Sequence, residues 1–140
     1  SAASDVYKRQ ALSVVRLQNL IQDMTKGKLD ASQASRLGRL TAEKERECQI
    51  VKSEVVIIWG DFFKEPQIVE YPNIHDLTHS IMRCASKCKQ DLDASDGEEL
   101  LALVNQFADI FWQSKGYSTE LLAAPYPPSL GVVKPVLEHV

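Results

Sequence analysis

Apolar positions along this chain recur mostly at steps of three or four, so the pattern predicts helices. The longest stripe lies in residues 30–63, where Leu37, Leu40, Cys48, Val51, Val55, Ile58 and Phe62 share one side and Lys44 interrupts them. Asp30 and Gln33 have the spacing of a capping box at its start, and Pro66 forbids continuation past its end. Such a helix would span roughly 50 Å at about 1.5 Å per residue. One neighbour cannot cover it. Its first half is charged (Arg36, Arg39, Glu43, Lys44, Glu45, Arg46, Glu47), whereas 55–59 is apolar on every side and is expected to be buried.

Three further helices follow from the same periodicity. Leu12, Val15, Leu20, Ile21 and Met24 predict a helix over 11–25, with Gly27 as its left-handed terminator, folded back on the long helix as an antiparallel hairpin. Ile74, Leu77, Ile81, Cys84, Cys88 and Leu92 predict one over 74–92, with Asn73 as N-cap and Asp76 in the first turn. Ser95 and Glu98 form a capping box for the last, 96–115, whose face carries Leu100, Leu101, Val104, Phe107, Ala108, Phe111 and Trp112 and which Lys115 and Gly116 close. Residues 64–72 hold two prolines and read as the main loop, and 118–124 admits a short helical turn. Pro125, Pro127 and Pro128 around Tyr126 favour an extended path, with 130–140 pinned to the core or to a partner. The run 55–59 before Gly60 and Asp61 also suits a buried parallel strand. The unbroken phase of the stripe decides for helix, and no second strand of equal strength offers a partner. The expected fold is therefore all-α: an irregular bundle of four main helices built around one long helix, with an extended proline-rich C-terminal segment.

The first ten residues, Ser-Ala-Ala-Ser-Asp-Val-Tyr-Lys-Arg-Gln, read as an in-frame translation of a transposon-type sequencing adapter, and are set aside as non-native. The division is then 1–10 adapter, 11–124 helical domain and 125–140 proline-rich segment, a fragment whose natural N-terminus lies upstream. Without Asp5, Lys8 and Arg9 the 16 basic and 19 acidic residues become 14 and 18, a net charge of −4. Residues 11–47 hold seven basic and five acidic side chains, and 48–140 hold seven and thirteen. Neither half has the basic excess that would itself argue for nucleic acid. No run approaches the roughly 18 apolar residues of a membrane span. Three cysteines without framework spacing indicate reduced thiols and a cytoplasmic protein.

Candidate chemistry is sparse. His75 and His79 stand one helical turn apart, the way helical metal sites begin, but two ligands do not make a site. Cys84 and Cys88 fall on the opposite side, on the Leu77 and Ile81 face, where a free thiol behaves as a small apolar group. No nucleophile elbow, phosphate loop, dinucleotide fingerprint or Cys-x-x-Cys occurs. Asp91, Asp93, Asp96, Glu98 and Glu99 lack the glycine and terminal glutamate spacing of a calcium loop and read as capping carboxylates. No catalytic residue, cofactor site or metal site is assigned.

The charged segment Arg39-Leu40-Thr41-Ala42-Glu43-Lys44-Glu45-Arg46-Glu47, followed by an apolar helical region, resembles the middle of small subunits of phage DNA-packaging terminases. The likeness covers about a quarter of the chain and implies a nucleic-acid partner read by an element upstream. From the residues themselves, apolar stripes are abundant and convergent polar groups scarce. The leading reading is thus a non-catalytic helical interaction or scaffolding module, not an enzyme. Its partner-binding residues are Leu37, Leu40, Lys44 and Cys48, since a lysine in the seam should keep 37–48 uncovered by this chain unless it finds a carboxylate. The alternatives are the DNA-packaging subunit and, third, a metal enzyme using His75 and His79.

Overall fold

The computed structural model describes residues 2–125 and 128–137. Five helices, α1 (Ala2–Met24), α2 (Ala31–Phe62), α3 (Glu65–Glu70), α4 (Ile74–Gln90) and α5 (Ala94–Ser114), precede two strands, β1 (Thr119–Ala123) and β2 (Gly131–Pro135). The bundle is built around α2 as the periodicity requires, with α1 and α4 packed along α2 and α5 closing the other side of both. Leu100, Val104 and Phe107 of α5 meet Ile81 and Cys88 of α4, Val51 and Val55 of α2, and Leu12 and Val15 of α1 in one buried core. Each large side chain fully removed from water contributes about 1.5–3 kcal/mol. No helix among the described residues is long and apolar enough to cross a membrane.

Local signals explain most boundaries. The Gln33 amide donates to Asp30 Oδ1 at 2.8 Å and the Asp30 amide donates to Gln33 Oε1 at 3.1 Å, the reciprocal capping box at the start of α2. Gly116 ends α5 at φ +89°, a conformation that favours glycine. The helix 55–59 is also as expected, but its burial is not: Val56 and Ile57 are 42% and 52% exposed, because only Val55 and Ile58 keep the phase of the core stripe.

Other expectations are corrected. The fold is not purely helical, since residues 119–123 pair antiparallel with 131–135, Leu121 opposite Val133, where a helical turn was expected. Strand β2 brings the burial that decides this, through Val132 and Val133. Its outer edge is met by a side chain: Asn105 donates to the Gly131 carbonyl at 2.9 Å and accepts from the Val133 amide at 2.9 Å. One amide thus takes the place of a third strand. The expected loop at 64–72 contains α3, with Pro66 in its first turn, where a missing N–H costs nothing. The cap of α5 is Asp93, accepting from the Ser95 amide at 2.9 Å, not Ser95. Asn73 precedes α4 without a side-chain cap bond, and Gly27 does not adopt positive φ. Residues 126–127 of the polyproline reading and 138–140 of the terminal segment lie outside the described residues.

Lys44 is buried, and its ammonium donates to the backbone carbonyl of Asp91 at 2.6 Å. Asp91 caps the C-terminus of α4, where unsatisfied carbonyls and the helix dipole both favour a cation. The seam lysine therefore needs no carboxylate. Beside it, Arg46 pairs with Glu43, which holds the Glu43 carboxyl below its usual range. The Glu47 carboxyl is pushed up to about 7, first by burial and then by its hydrogen bond to Glu43.

Two predictions follow from this packing. A Cβ on Gly97 would overlap Gln18 Oε1 and lie 3.2 Å from the Val15 Cα, whereas Gly38 and Gly60 face open space inside α2. In urea titrations Gly97→Ala should lose about 1–3 kcal/mol through overpacking, and Gly38→Ala or Gly60→Ala should gain about 0.5–1 kcal/mol of helix stability. The second concerns pH. A carboxyl whose folded value is raised keeps a proton the unfolded chain has released, so its stabilising contribution is present below the ordinary 4.5 and is lost as pH rises through about 7. Between pH 5 and 8 the urea midpoint should fall, and Glu47→Gln should flatten that fall. Equal slopes in the two proteins would show that Glu47 does not carry it.

Candidate functional site

The His pair lies on the solvent side of α4. Trp59 Nε1 donates to His75 Nδ1 at 2.9 Å, and the two rings meet edge to face at 5.6 Å. That bond ties up one imidazole nitrogen in a contact between α2 and α4. His79 borders a shallow groove with Met82, Arg83, Ser86, Lys87 and Gln90, none of them a carboxylate, imidazole or thiol. The proposed third ligand is absent from that groove.

Of the residues expected to bind a partner, Leu37 and Leu40 are half-buried, while Lys44 and Cys48 are enclosed between α2 and α4. Cys84 and Cys88 are buried as their face of α4 predicts, and all three thiols are free. The structure thus brings Cys48, Cys84 and Cys88 together on the interior side of α4 and leaves the histidines on the other.

A cleft of about 530 Å³ opens between the start of α1 and the hairpin, with Asp5, Lys8, Arg9, Leu122, Val132 and Lys134 in its walls. Lys8 is buried there, donating to the Val133 carbonyl at 2.9 Å and pairing with Asp5 at 3.0 Å. Neighbouring Tyr7 packs edge-on against Phe107, and burial, then the Asp5 charge, raises its phenol above the usual range. The sequence reading passed over this cleft because Asp5, Lys8 and Arg9 fall in the ten residues it set aside.

The sequence profile of the nickel-containing superoxide dismutases matches residues 4–115, from the first turn of α1 to the end of α5. The chain belongs to that family. The superoxide dismutase [Ni] of Streptomyces coelicolor is 32% identical over 77 residues, and that of Streptomyces seoulensis 31%. In each case the match covers 55% of this chain and 59% of the relative. A native nickel superoxide dismutase structure superposes with a TM-score of 0.70 at 28% identity, covering 80% of this chain and 90% of the other. An apo structure of a nickel superoxide dismutase gives 0.70 at 27%, covering 81% and 95%. The hairpin after residue 115 lies beyond the profile match.

Membership in a family of enzymes overturns the reading of a non-catalytic interaction or scaffolding module, and with it the DNA-packaging alternative. The physical cause of the error is plain. The apolar stripes read as interfaces are the bundle's own core, with Val51 and Val55 of α2 inside the same buried cluster as residues of α1, α4 and α5.

Family membership implies nickel, which takes imidazole nitrogen and, in its softer sites, thiolate sulfur. Among the described residues no three His, Cys, Asp or Glu side chains come together so as to hold a metal ion. The described residues do not fit nickel, and no chemical step through it can be built on them. In equilibrium dialysis against Ni(II), the chain should retain no stoichiometric metal at micromolar concentration. The His75→Ala, His79→Ala double variant should behave identically; stoichiometric retention that the double variant loses would restore the histidine site.

Proposed function

We propose that this chain is the helical bundle of an enzyme that disproportionates superoxide, two superoxide anions and two protons giving dioxygen and hydrogen peroxide, with nickel as its metal. The observation that carries this is the family match across all five helices, supported by a superposition covering 90% of a native nickel superoxide dismutase. Nickel, when bound, supplies the one-electron redox change that the reaction needs. Its ligands are assigned to groups other than those described, because no described cluster can hold it. The contribution of α1–α5 is then a packed scaffold, in which Lys44 and Asp96, buried polar groups of α2 and α5, are both tied to the C-terminal end of α4, through Asp91 and Lys87.

The test is stopped-flow decay of superoxide with the natural gene product, read from source DNA across residue 11. That reading also decides whether residues 1–10 are adapter-derived. Nickel-loaded gene product should accelerate the decay and metal-free protein should not, while the 140-residue chain, with nickel added, should resemble the metal-free protein. Nickel-loaded gene product without acceleration would overturn the proposal.

A further inference from the structure

Helices α2 and α4 meet in a register set by three polar contacts. Lys44 donates to the Asp91 carbonyl at 2.6 Å, Lys89 donates to Gln49 Oε1 at 2.5 Å, and Lys52 donates to Ser86 Oγ at 2.9 Å. The helices run antiparallel, so residue numbers rise on one as they fall on the other, and this register sets Cys48 against Cys88. Both are fully buried, and the neighbouring Cys88 thiol, acting as a donor, holds the Cys48 thiol below its ordinary range. Cys84, one turn away on α4, donates to the Asp96 carbonyl at 3.5 Å. Three thiols on two helices thus form one connected row.

We propose that Cys48 and Cys88 form an oxidisable dithiol that hydrogen peroxide converts to a disulfide clamping α2 to α4. Two buried sulfurs set opposite each other by the register of α2 and α4 need no change of helix pairing to close to about 2.05 Å. The other pairing, Cys84 with Cys88, is disfavoured by helix geometry: side chains four apart hold their Cβ atoms about 5–6 Å apart, against about 3.8 Å in a disulfide. The opening nearest this row is on the α4–α5 side, where Cys84, 6% exposed and one turn from Cys88, lines an open cleft of about 440 Å³ with Arg83, Lys87 and Glu99.

Cys48 is the attacking sulfur. The Cys88 hydrogen bond holds its thiol below the ordinary range against desolvation, and the charges of Lys44 and Lys89 help. Cys88, donating that bond, is pushed up to about 12. The thiolate of Cys48 attacks one peroxide oxygen, the O–O bond breaks, and the departing hydroxide takes up the proton that Cys48 released, leaving a sulfenic acid and water. The Cys88 sulfur then attacks the Cys48 sulfur, the S–O bond breaks, and the hydroxyl leaves as water with the Cys88 proton. Two thiols are oxidised by two electrons and one peroxide is reduced to two waters. Peroxide is the product of the reaction proposed above, but the inference does not need that reading, because the test adds peroxide as a reagent.

The experiment treats the folded chain with hydrogen peroxide, alkylates the remaining thiols in denaturant, and maps peptides without reductant. One cross-linked pair containing Cys48 and Cys88 is expected, lighter by two hydrogens, with Cys84 alkylated and the link reversed by dithiothreitol. The oxidised chain should also unfold at higher urea than the reduced one. Cys84→Ser should keep the link, and Cys48→Ser or Cys88→Ser should lose it with helicity intact by circular dichroism. The wild-type map decides the matter even where a variant fails to fold. Three thiols still free after treatment, a Cys84–Cys88 link, chains joined only to each other, or a link that leaves the urea midpoint unmoved would each overturn the proposal.

Discussion

An ammonium group taken out of water must meet oxygen, and Lys44 in the seam of α2 meets the Asp91 carbonyl at the end of α4. An unpaired buried charge would cost several kcal/mol, so this contact admits few alternatives in how the two helices lie. Slide α4 by one turn and the lysine loses that carbonyl. With the register held, Lys89 reaches Gln49, Lys52 reaches Ser86, and Cys48 lies against Cys88. The same register presents Ile81, Cys84 and Cys88 to the core, where Leu100, Val104 and Phe107 of α5 complete the packing.

The second constraint is close approach. Gly97 lets the start of α5 lie against the α1 backbone at Val15, with Gln18 filling the space a side chain would need. Asp96, the residue before it, is buried and paired with Lys87 of α4 at 3.1 Å. The first turn of α5 is thereby tied to α1 by shape and to α4 by charge. At its other end, Phe62, Phe63, Phe107, Phe111 and Trp112 form a chain of edge-to-face aromatic contacts, with the Lys115 ammonium over the Phe111 ring at 4.6 Å. Arrangements of this kind favour one geometry over looser packings.

A bundle so fully committed to its own packing explains how an enzyme family can leave little chemical trace in most of a chain. Redox chemistry on a metal needs a few ligands, and the five helices match the family while holding no metal-binding cluster among the described residues. Residues that serve packing are numerous and periodic; residues that serve chemistry are few and owe nothing to periodicity. Function was accordingly the least readable property of this sequence. The Glu43–Arg46–Glu47 group shows the converse case, where charged residues that look functional are a local ion pair and a half-buried carboxyl on the flank of a helix whose core side is filled.

The sequence by itself determined the four long helices. The stripe through Val51, Val55 and Ile58, the Asp30–Gln33 cap and the terminating Gly116 are local matters of spacing and backbone freedom, and each appears where the pattern put it. It also placed Cys84 and Cys88 inside, because face assignment follows directly from helical period. What only the tertiary structure decided depends on groups distant in the chain. Residues 119–123 are a strand because β2 and the Asn105 amide complete their sheet, and nothing in Thr-Glu-Leu-Leu-Ala announces it. Lys44 is an interior residue because a carbonyl forty-seven positions away is free to receive it. The site residues divide the same way: His75 looked like a ligand until Trp59 was found on its nitrogen, and Cys48 looked like part of a free surface until α4 covered it. Periodicity tells which side of a helix is apolar, but the partner of a polar atom is set by where the other helices stop.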